Sequence, residues 1–319
     1  ESDRNVNPWL PLFKRSLREC HLIRKVIKEC KNVTEVILLN LAIAMPLLPF
    51  IISNEIKISG IIYTIDMYAK FNGLLGIKER NVLRQYSKSS IFRNIYILNS
   101  PRAVDYYNNT YSTKRFTNLV DPVPEIDFSN LRNLRGEMGI DDDKVVFLHF
   151  GAMQKRKGTL LLLHALSKLK QKQEKVFIFA GKIYPEIESE FLNLKRQAQH
   201  GGAKIITINK FIDYDYLNDL VYSCDCILAP YLDTCCSSGV IGFGAVLGKP
   251  IIGAETGLLG DLIHDNCLGI TIPVECDTLA TAINNFQPWK ITSPYKDINT
   301  VEKFNATILG SFSNRYNLA

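Results

Sequence analysis

The chain has no set of cysteines and histidines spaced for zinc. Its eight cysteines, at 20, 30, 224, 226, 235, 236, 267 and 276, sit mostly in apolar runs without the paired spacing and histidine partners that such a site needs. One residue separates Cys224 from Cys226 and none separates Cys235 from Cys236, so neither pair has the spacing of a redox dithiol. They read as reduced, buried thiols of a cytoplasmic protein. A bilayer-spanning run is also missing. Val36 to Asn54 carries no formal charge, but Asn40, Pro46 and Pro49 interrupt it, and a strand at Glu35 to Leu39 followed by a buried helix accounts for its composition. Internal repeats, low-complexity segments and a visible signal peptide are absent. No G-x-G-x-x-G follows an expected strand, which argues against a dehydrogenase. The sequence opens at Glu1 without an initiator methionine and runs straight into an amphipathic pattern, so it reads as cropped at its start.

What is present is ordinary globular material: 319 residues, 46% apolar and 22% charged, more than one hydrophobic core usually serves. Two domains are expected. The net charge of +6 is uneven: residues 1–122 hold 18 Lys and Arg against 10 Asp and Glu, leaving 20 against 22 from the totals of 38 and 32. The front is therefore +8 and the rest −2, which suits a first domain facing a phosphorylated lipid acceptor or a membrane surface. Nucleic acid is not expected, because the basic residues are scattered along helices without clustered aromatics or a binding motif.

From Trp9 to Cys30 apolar residues recur at helical spacing between Lys and Arg, which predicts a surface helix. Apolar β-rich runs at Ile58–Ile65 and Ile95–Leu98 then alternate with helical or polar stretches at Asn81–Ser90 and Arg102–Tyr111. Asp121-Pro-Val-Pro-Glu125 stiffens the chain and marks the boundary between domains 1–124 and 125–319. A second alternation predicts strands at 145–150, 176–180, 204–208, 226–229 and 250–252, with helices at 159–169, 187–199, 216–224 and 239–247 between them. Five parallel strands with crossover helices make a doubly wound α/β domain. A last helix at 300–312 follows a polar, proline-containing passage and is expected to pack back on the first domain.

In such sheets ligands sit beyond the carboxyl ends of the strands. The first loop there, 150–158, has Gly151 for close backbone approach and then Lys155, Arg156 and Lys157 before a helix N-terminus, a combination suited to a diphosphate. Its bland alternative is a solvated basic turn. The second, 230–240, carries Tyr231 and then Ser237, Ser238, Gly239 and Val240, which would set hydroxyls and successive amides at a helix N-terminus; an ordinary serine N-cap is the alternative. Both loops on one crevice would be a phosphate cradle. His149, inside a strand, reads as a satisfied core residue.

The ordered motifs F-G-x-x-x-x-x-K-G, F-A-G-K (Phe179–Lys182), Y-S-C-D-C, A-P-Y, S-S-G-V, L-G-K-P-I-I and G-L-L-G-D-L-I resemble the donor half of the GT-B glycosyltransferases of the family-4, "group 1" type, over residues 144–312. The first domain is similar only loosely, through Y-T-I-D at 63–66, L-N-S at 98–100 and L-V-D-P at 119–122, and looks short of that family's opening strand and glycine-rich loop. The resemblance implies a GT-B fold, two Rossmann-like doubly wound domains facing a cleft. It implies a hexosyltransferase, retaining in stereochemistry, that moves a sugar from a UDP- or GDP-linked donor to the hydroxyl of a glycan or lipid-linked acceptor in polysaccharide or glycolipid assembly. Such an enzyme would work in the cytoplasm, with peripheral contact at the inner face of the membrane through the basic first domain, and would need no metal and no cofactor beyond its donor substrate.

Carried onto this sequence, the resemblance makes Lys157 the residue that neutralises the donor diphosphate, with Lys182 in the matching F-A-G-K motif. Ala152 stands where an arginine is common, so Arg156 or Lys155 would substitute. The family's two glutamates would fall near Cys235 and Phe243, so the ribose-binding carboxylate is missing, and Asp233 is the nearest one. Phe211 and Ile212 would wall the nucleobase. Asp66 takes the place of a histidine facing the sugar and would orient the acceptor or accept its proton, or serve only as an N-cap. The missing carboxylates also keep open a catalytically inactive binding or scaffold subunit, and a GT-B nucleotide-sugar epimerase remains as another enzyme reading.

Overall fold

The apolar runs become strands of two separate parallel sheets. The computed structural model describes residues 9–41, 47–53, 55–65, 67 and 74–313. Two units divide between Asp121 and Pro122 and again between Lys303 and Phe304.

The first unit contains α1 (Trp9–Glu29), β1 (Glu35–Leu38), α2 (Leu48–Ile51), β2 (Lys57–Ile62), α3 (Leu74–Lys88), β3 (Phe92–Leu98), α4 (Pro101–Tyr111) and β4 (Phe116–Leu119). Its strands lie in chain order, β1-β2-β3-β4, all parallel. Helix α4 shows why this order forms locally. Pro101 supplies a fixed φ at the first turn, the Ser100 hydroxyl accepts from Ala103 N at 3.2 Å, and Ser112 ends the helix in a left-handed conformation at φ +50°. The Asn108 side chain then pairs with both backbone groups of Phe116, at 2.9 and 3.1 Å, and sets the entry to β4. That strand was not expected, since its sequence Phe-Thr-Asn-Leu has no apolar run.

The second unit runs through β5 (Val145–Phe150), α5 (Thr159–Ser167), β6 (Lys175–Ala180), α6 (Pro185–His200), β7 (Lys204–Ile208), α7 (Tyr214–Ser223), β8 (Cys226–Ala229), α8 (Gly239–Leu247), β9 (Ile251–Ala254), α9 (Gly257–Asp265), β10 (Gly269–Ile272), α10 (Cys276–Asn285) and α11 (Tyr295–Ile298). The sheet has six strands rather than five, in the order β10-β9-β8-β5-β6-β7. Its pairings are all parallel. Strands β5 and β6 are covered on both faces and read as nearly unbroken apolar runs, and Phe147 stacks on Phe177 across them at 5.3 Å. The sixth strand escaped notice because Gly-Ile-Thr-Ile is short, opens on glycine and is mostly half-buried. The stretch from 255 to 299, for which the sequence assigned no elements, also holds α9, α10 and α11.

Residues 122–144 belong to this unit for physical reasons. Val123 N donates to Asn299 O at 2.8 Å, and Gly242 leaves room for Pro124: a Cβ there would lie 2.9 Å from its Cδ. The domain division therefore falls three residues before the expected 124/125. Arg135 fastens the same segment by donating to Ser223 O, Lys144 O and Asp225 Oδ2, at 2.9, 3.1 and 2.7 Å. The last helix, α12 (Val301–Ser313), changes units part-way. Its Phe304 and Ile308 pack on Ile61, Tyr96, Leu98 and Leu119 of the first unit.

Candidate functional site

The strand order of the second unit reverses at β5 and β8, which pair with each other while their successors β6 and β9 run outward to opposite sides. The crevice beyond such a reversal is the usual ligand position in an open α/β sheet. The loops 150–158 and 230–240 leave the sheet there.

These two loops are joined closely. Leu232 N and Asp233 N both donate to the Arg156 carbonyl, at 2.9 and 3.2 Å. Gly158 sits at φ +69°, and a Cβ on it would be 1.9 Å from Pro230 O, so only glycine permits the approach. The Lys157 amine lies 3.7 Å from the centroid of the Tyr231 ring and 3.5 Å from Ser238 Oγ, whose hydroxyl is in turn 3.4 Å from Tyr231 Oη. The two polar contacts are at the outer limit of hydrogen bonding. The ring face favours the charged amine. Among the described residues, Lys155, Arg156 and Lys157 form no ion pair. Their charge is left for an anion.

Ser238 precedes α8 but makes no side-chain cap bond; its hydroxyl faces Lys157 and Tyr231 instead. The ordinary N-cap reading therefore fails at this position. Gly239 is exposed, and a Cβ on it would meet nothing within 4 Å, so the first turn of α8 is uncovered on that side. Ser237 is half-buried beside it, while the Val240 side chain is buried in the core and can contribute only its amide. Arg156 turns its Nε to Gln154 Oε1 at 2.9 Å on the exposed face, and its backbone does the joining.

A second group of the expected residues gathers at the start of the same loop. Gly151, Lys182, Phe211 and Ile212 line a cavity of about 290 Å³ with Phe150, Gly181, Tyr184 and Lys210. Phe211 is 86% exposed, so a ring face is free for a planar ligand. Gly181, at φ +141°, is forced by contact: a Cβ there would stand 2.0 Å from Gly151 O. Tyr184 and Lys210 were missed, although each lies within three residues of a residue that was chosen. The G-L-L-G-D-L-I motif at 257–263, quoted for the resemblance but given no site role, reaches the same place: Leu258 N donates to Thr234 O at 2.8 Å, and Gly257 at φ +73° allows that contact, so the turn after β9 abuts the serine loop.

Two other expectations fare differently. Asp66 lies outside the described residues. Asp233, named as a stand-in for the missing ribose carboxylate, directs Oδ1 to its own turn, accepting from Cys235 N at 3.3 Å and Cys235 Sγ at 2.9 Å. The cysteines are not all buried: Cys30 and Cys267 are exposed, and Cys236 and Cys276 are half-buried. Among the described residues no three metal-ligating side chains of His, Cys, Asp and Glu come together, and no helix is long and apolar enough to cross a membrane.

His149 lies under the site as a core residue. Nδ1 donates to Leu228 O at 2.9 Å, which leaves Nε2 to accept from the Thr159 hydroxyl at 3.0 Å, tying β5 to β8 and to the start of α5. Burial, with a smaller contribution from Lys157, pulls its pKa down to about 4. The neutral ring carries no penalty above the unfolded value near 6.5; as pH falls below that the unfolded chain takes up a proton that the folded chain refuses, and stability drops until about pH 4. The loss should reach about 3 kcal/mol. Urea unfolding from pH 7 to pH 4 checks this, since His149→Gln should show a shallower acid decline.

The family model for Glycosyl transferases group 1 matches residues 144–286. No curated protein sequence matches the chain. HepE from Anabaena, solved with UDP-glucose, aligns at TM-score 0.68 and 18% identity over 92% of this chain and 82% of its own. Sucrose-phosphate synthase from Thermosynechococcus elongatus aligns at 0.66 and 15%, over 98% and 81%. A glycosyltransferase from Rickettsia africae aligns at 0.65 and 16%, over 100% and 85%. The fold they share with this chain is GT-B, built from two Rossmann-like domains.

Proposed function

From the premise that residues 144–286 belong to the group 1 glycosyl transferases within a GT-B chain, we propose that the protein transfers a hexosyl group from a nucleoside diphosphate sugar to an acceptor hydroxyl. The observation that carries this reading is the meeting of Lys157 with Ser238 at 3.5 Å, at the residue that precedes α8 and the exposed Gly239. The nucleobase occupies the cavity walled by Phe211 and Ile212, and the loop from Gly151 to Lys157 leads from there to the diphosphate. Breaking the sugar–phosphate bond builds negative charge on the departing diphosphate. Lys157, its two cationic neighbours and the amides at 237–239 stabilise that charge where it develops. Retention of anomeric configuration and a glycan or lipid-linked acceptor follow from the family likeness. The acceptor is assigned to the basic first unit, with peripheral membrane contact as a corollary.

UDP is the first choice among donor nucleotides, because HepE was solved with UDP and UDP-glucose. A thermal-shift panel of UDP, GDP and their sugars tests the reading. At 100 times its dissociation constant the right nucleotide should stabilise the protein by about 2.7 kcal/mol. A flat response to every nucleoside diphosphate would remove the donor site. A scaffold function is favoured by one feature: near Cys235 and Phe243, where the family's glutamates would fall, neither residue is acidic. Slow hydrolysis of the bound nucleotide sugar would speak for the enzyme, and binding without any turnover for the scaffold.

A further inference from the structure

The turn between β8 and α8 holds two consecutive cysteines whose sequence spacing argued against redox pairing, yet their side chains converge. Cys235 Sγ and Cys236 Sγ lie 3.8 Å apart, within contact. Cys235 is 7% exposed and donates its S–H to Asp233 Oδ1 at 2.9 Å, while its amide donates to the same oxygen at 3.3 Å. Cys236 is half-buried. The contact with Cys236, then burial, then the accepting Asp233 hold the Cys235 thiol well above its ordinary pKa. The two sulfurs are unequally placed: Cys236 is the more accessible to solvent, and Cys235 is buried with a carboxylate in line with its proton.

We infer that Cys235 and Cys236 form a reversible dithiol–disulfide pair, oxidised by hydroperoxides, in the turn that presents Ser237, Ser238 and Gly239. In the first step the Cys236 thiolate attacks the peroxide, the O–O bond breaks, and Cys236 becomes a sulfenic acid as the alkoxide or hydroxide leaves and is protonated. In the second, Cys235 Sγ attacks the Cys236 sulfur. Its proton passes to Asp233 Oδ1 and on to the departing hydroxide, which leaves as water. Two thiols and one hydroperoxide thus give one disulfide, one alcohol or water, and a further water. Closing the bond draws the sulfurs from 3.8 Å to about 2.05 Å, and the ring so formed contains the 235–236 peptide unit. The backbone of that unit has to turn, and Ser237 follows it directly. The effect on donor binding rests on the proposed function; the dithiol chemistry does not.

The test begins with the reduced, full-length protein and hydrogen peroxide, followed by alkylation and peptide mass spectrometry. The peptide spanning 235–236 should lose two hydrogens, escape alkylation, and recover both thiols with dithiothreitol. Two alkylated cysteines, or sulfinic acid without a disulfide, would overturn the inference. Cys235→Ser should stall at a Cys236 sulfenic acid trapped by dimedone, and Asp233→Asn should slow closure roughly tenfold or more. Equal rates of closure in Asp233→Asn would strike the carboxylate from the step. UDP titration of oxidised and reduced protein should show a weakening of about fivefold or more on oxidation, about 1 kcal/mol. Equal affinities would overturn the effect on the loop. Failure of the reduced protein to bind UDP would count against the donor site and leave the mass result untouched.

Discussion

Lys157→Ala should lower kcat by about 30- to 1,000-fold, the loss of about 2–4 kcal/mol expected when one stabiliser of a developing anion is removed. The Lys157 amine rests on the Tyr231 ring at 3.7 Å and beside Ser238 at 3.5 Å. Those neighbours are neutral and the amine forms no ion pair among the described residues, so its charge is available to the proposed diphosphate leaving group. Steady-state kinetics with a nucleotide sugar would measure it. A fall in kcat with little change in KM would place the lysine's interaction in the transition state; a rise in KM alone would make it an ordinary binding residue. Unchanged turnover would remove it from the mechanism. Folding of the variant is readily verified, because a half-buried lysine without an ion pair leaves no orphaned carboxylate behind.

Gly158→Ala should be strongly destabilising. The residue's φ of +69° strains any L side chain, by about 1–3 kcal/mol. A Cβ 1.9 Å from Pro230 O adds an overlap with backbone that no rotamer relieves, worth a further ~1–3 kcal/mol. Thermal unfolding should show the sum as a markedly lower Tm, together with weakened UDP binding, since the displaced partner begins the serine loop. A variant with wild-type Tm would mean that the two loops can part at little cost.

Much of the second unit could be read from its sequence because its inner strands are covered on both faces, and the half-buried edge strand Lys204–Ile208 still carries an apolar run. Val145–Phe150, Lys204–Ile208 and Cys226–Ala229 stand where the apolar runs placed them. Short elements with glycine or polar residues, such as Phe116–Leu119 and Gly269–Ile272, offer no run to read. The anchoring of residues 122–144 was also invisible, since Arg135 finds its partners in Ser223 and Asp225, nearly ninety positions away. At the candidate site the residue types were legible and the pairing was only supposed. Sequence gave reason to group Lys157 with Ser238, but the Arg156 carbonyl that links their loops is a backbone atom, which no residue pattern announces. The Cys235–Cys236 contact was discounted on spacing, because spacing does not report which way two side chains of a turn are directed.

The double acceptance by the Arg156 carbonyl has a mechanical consequence. With Leu232 N and Asp233 N both fixed to one oxygen, the basic turn and the serine turn form a single clamp with a shared fulcrum. A push delivered at either jaw displaces both, so lengthening one of them by a residue should disable the grip of its neighbour even where every anion-facing side chain is retained.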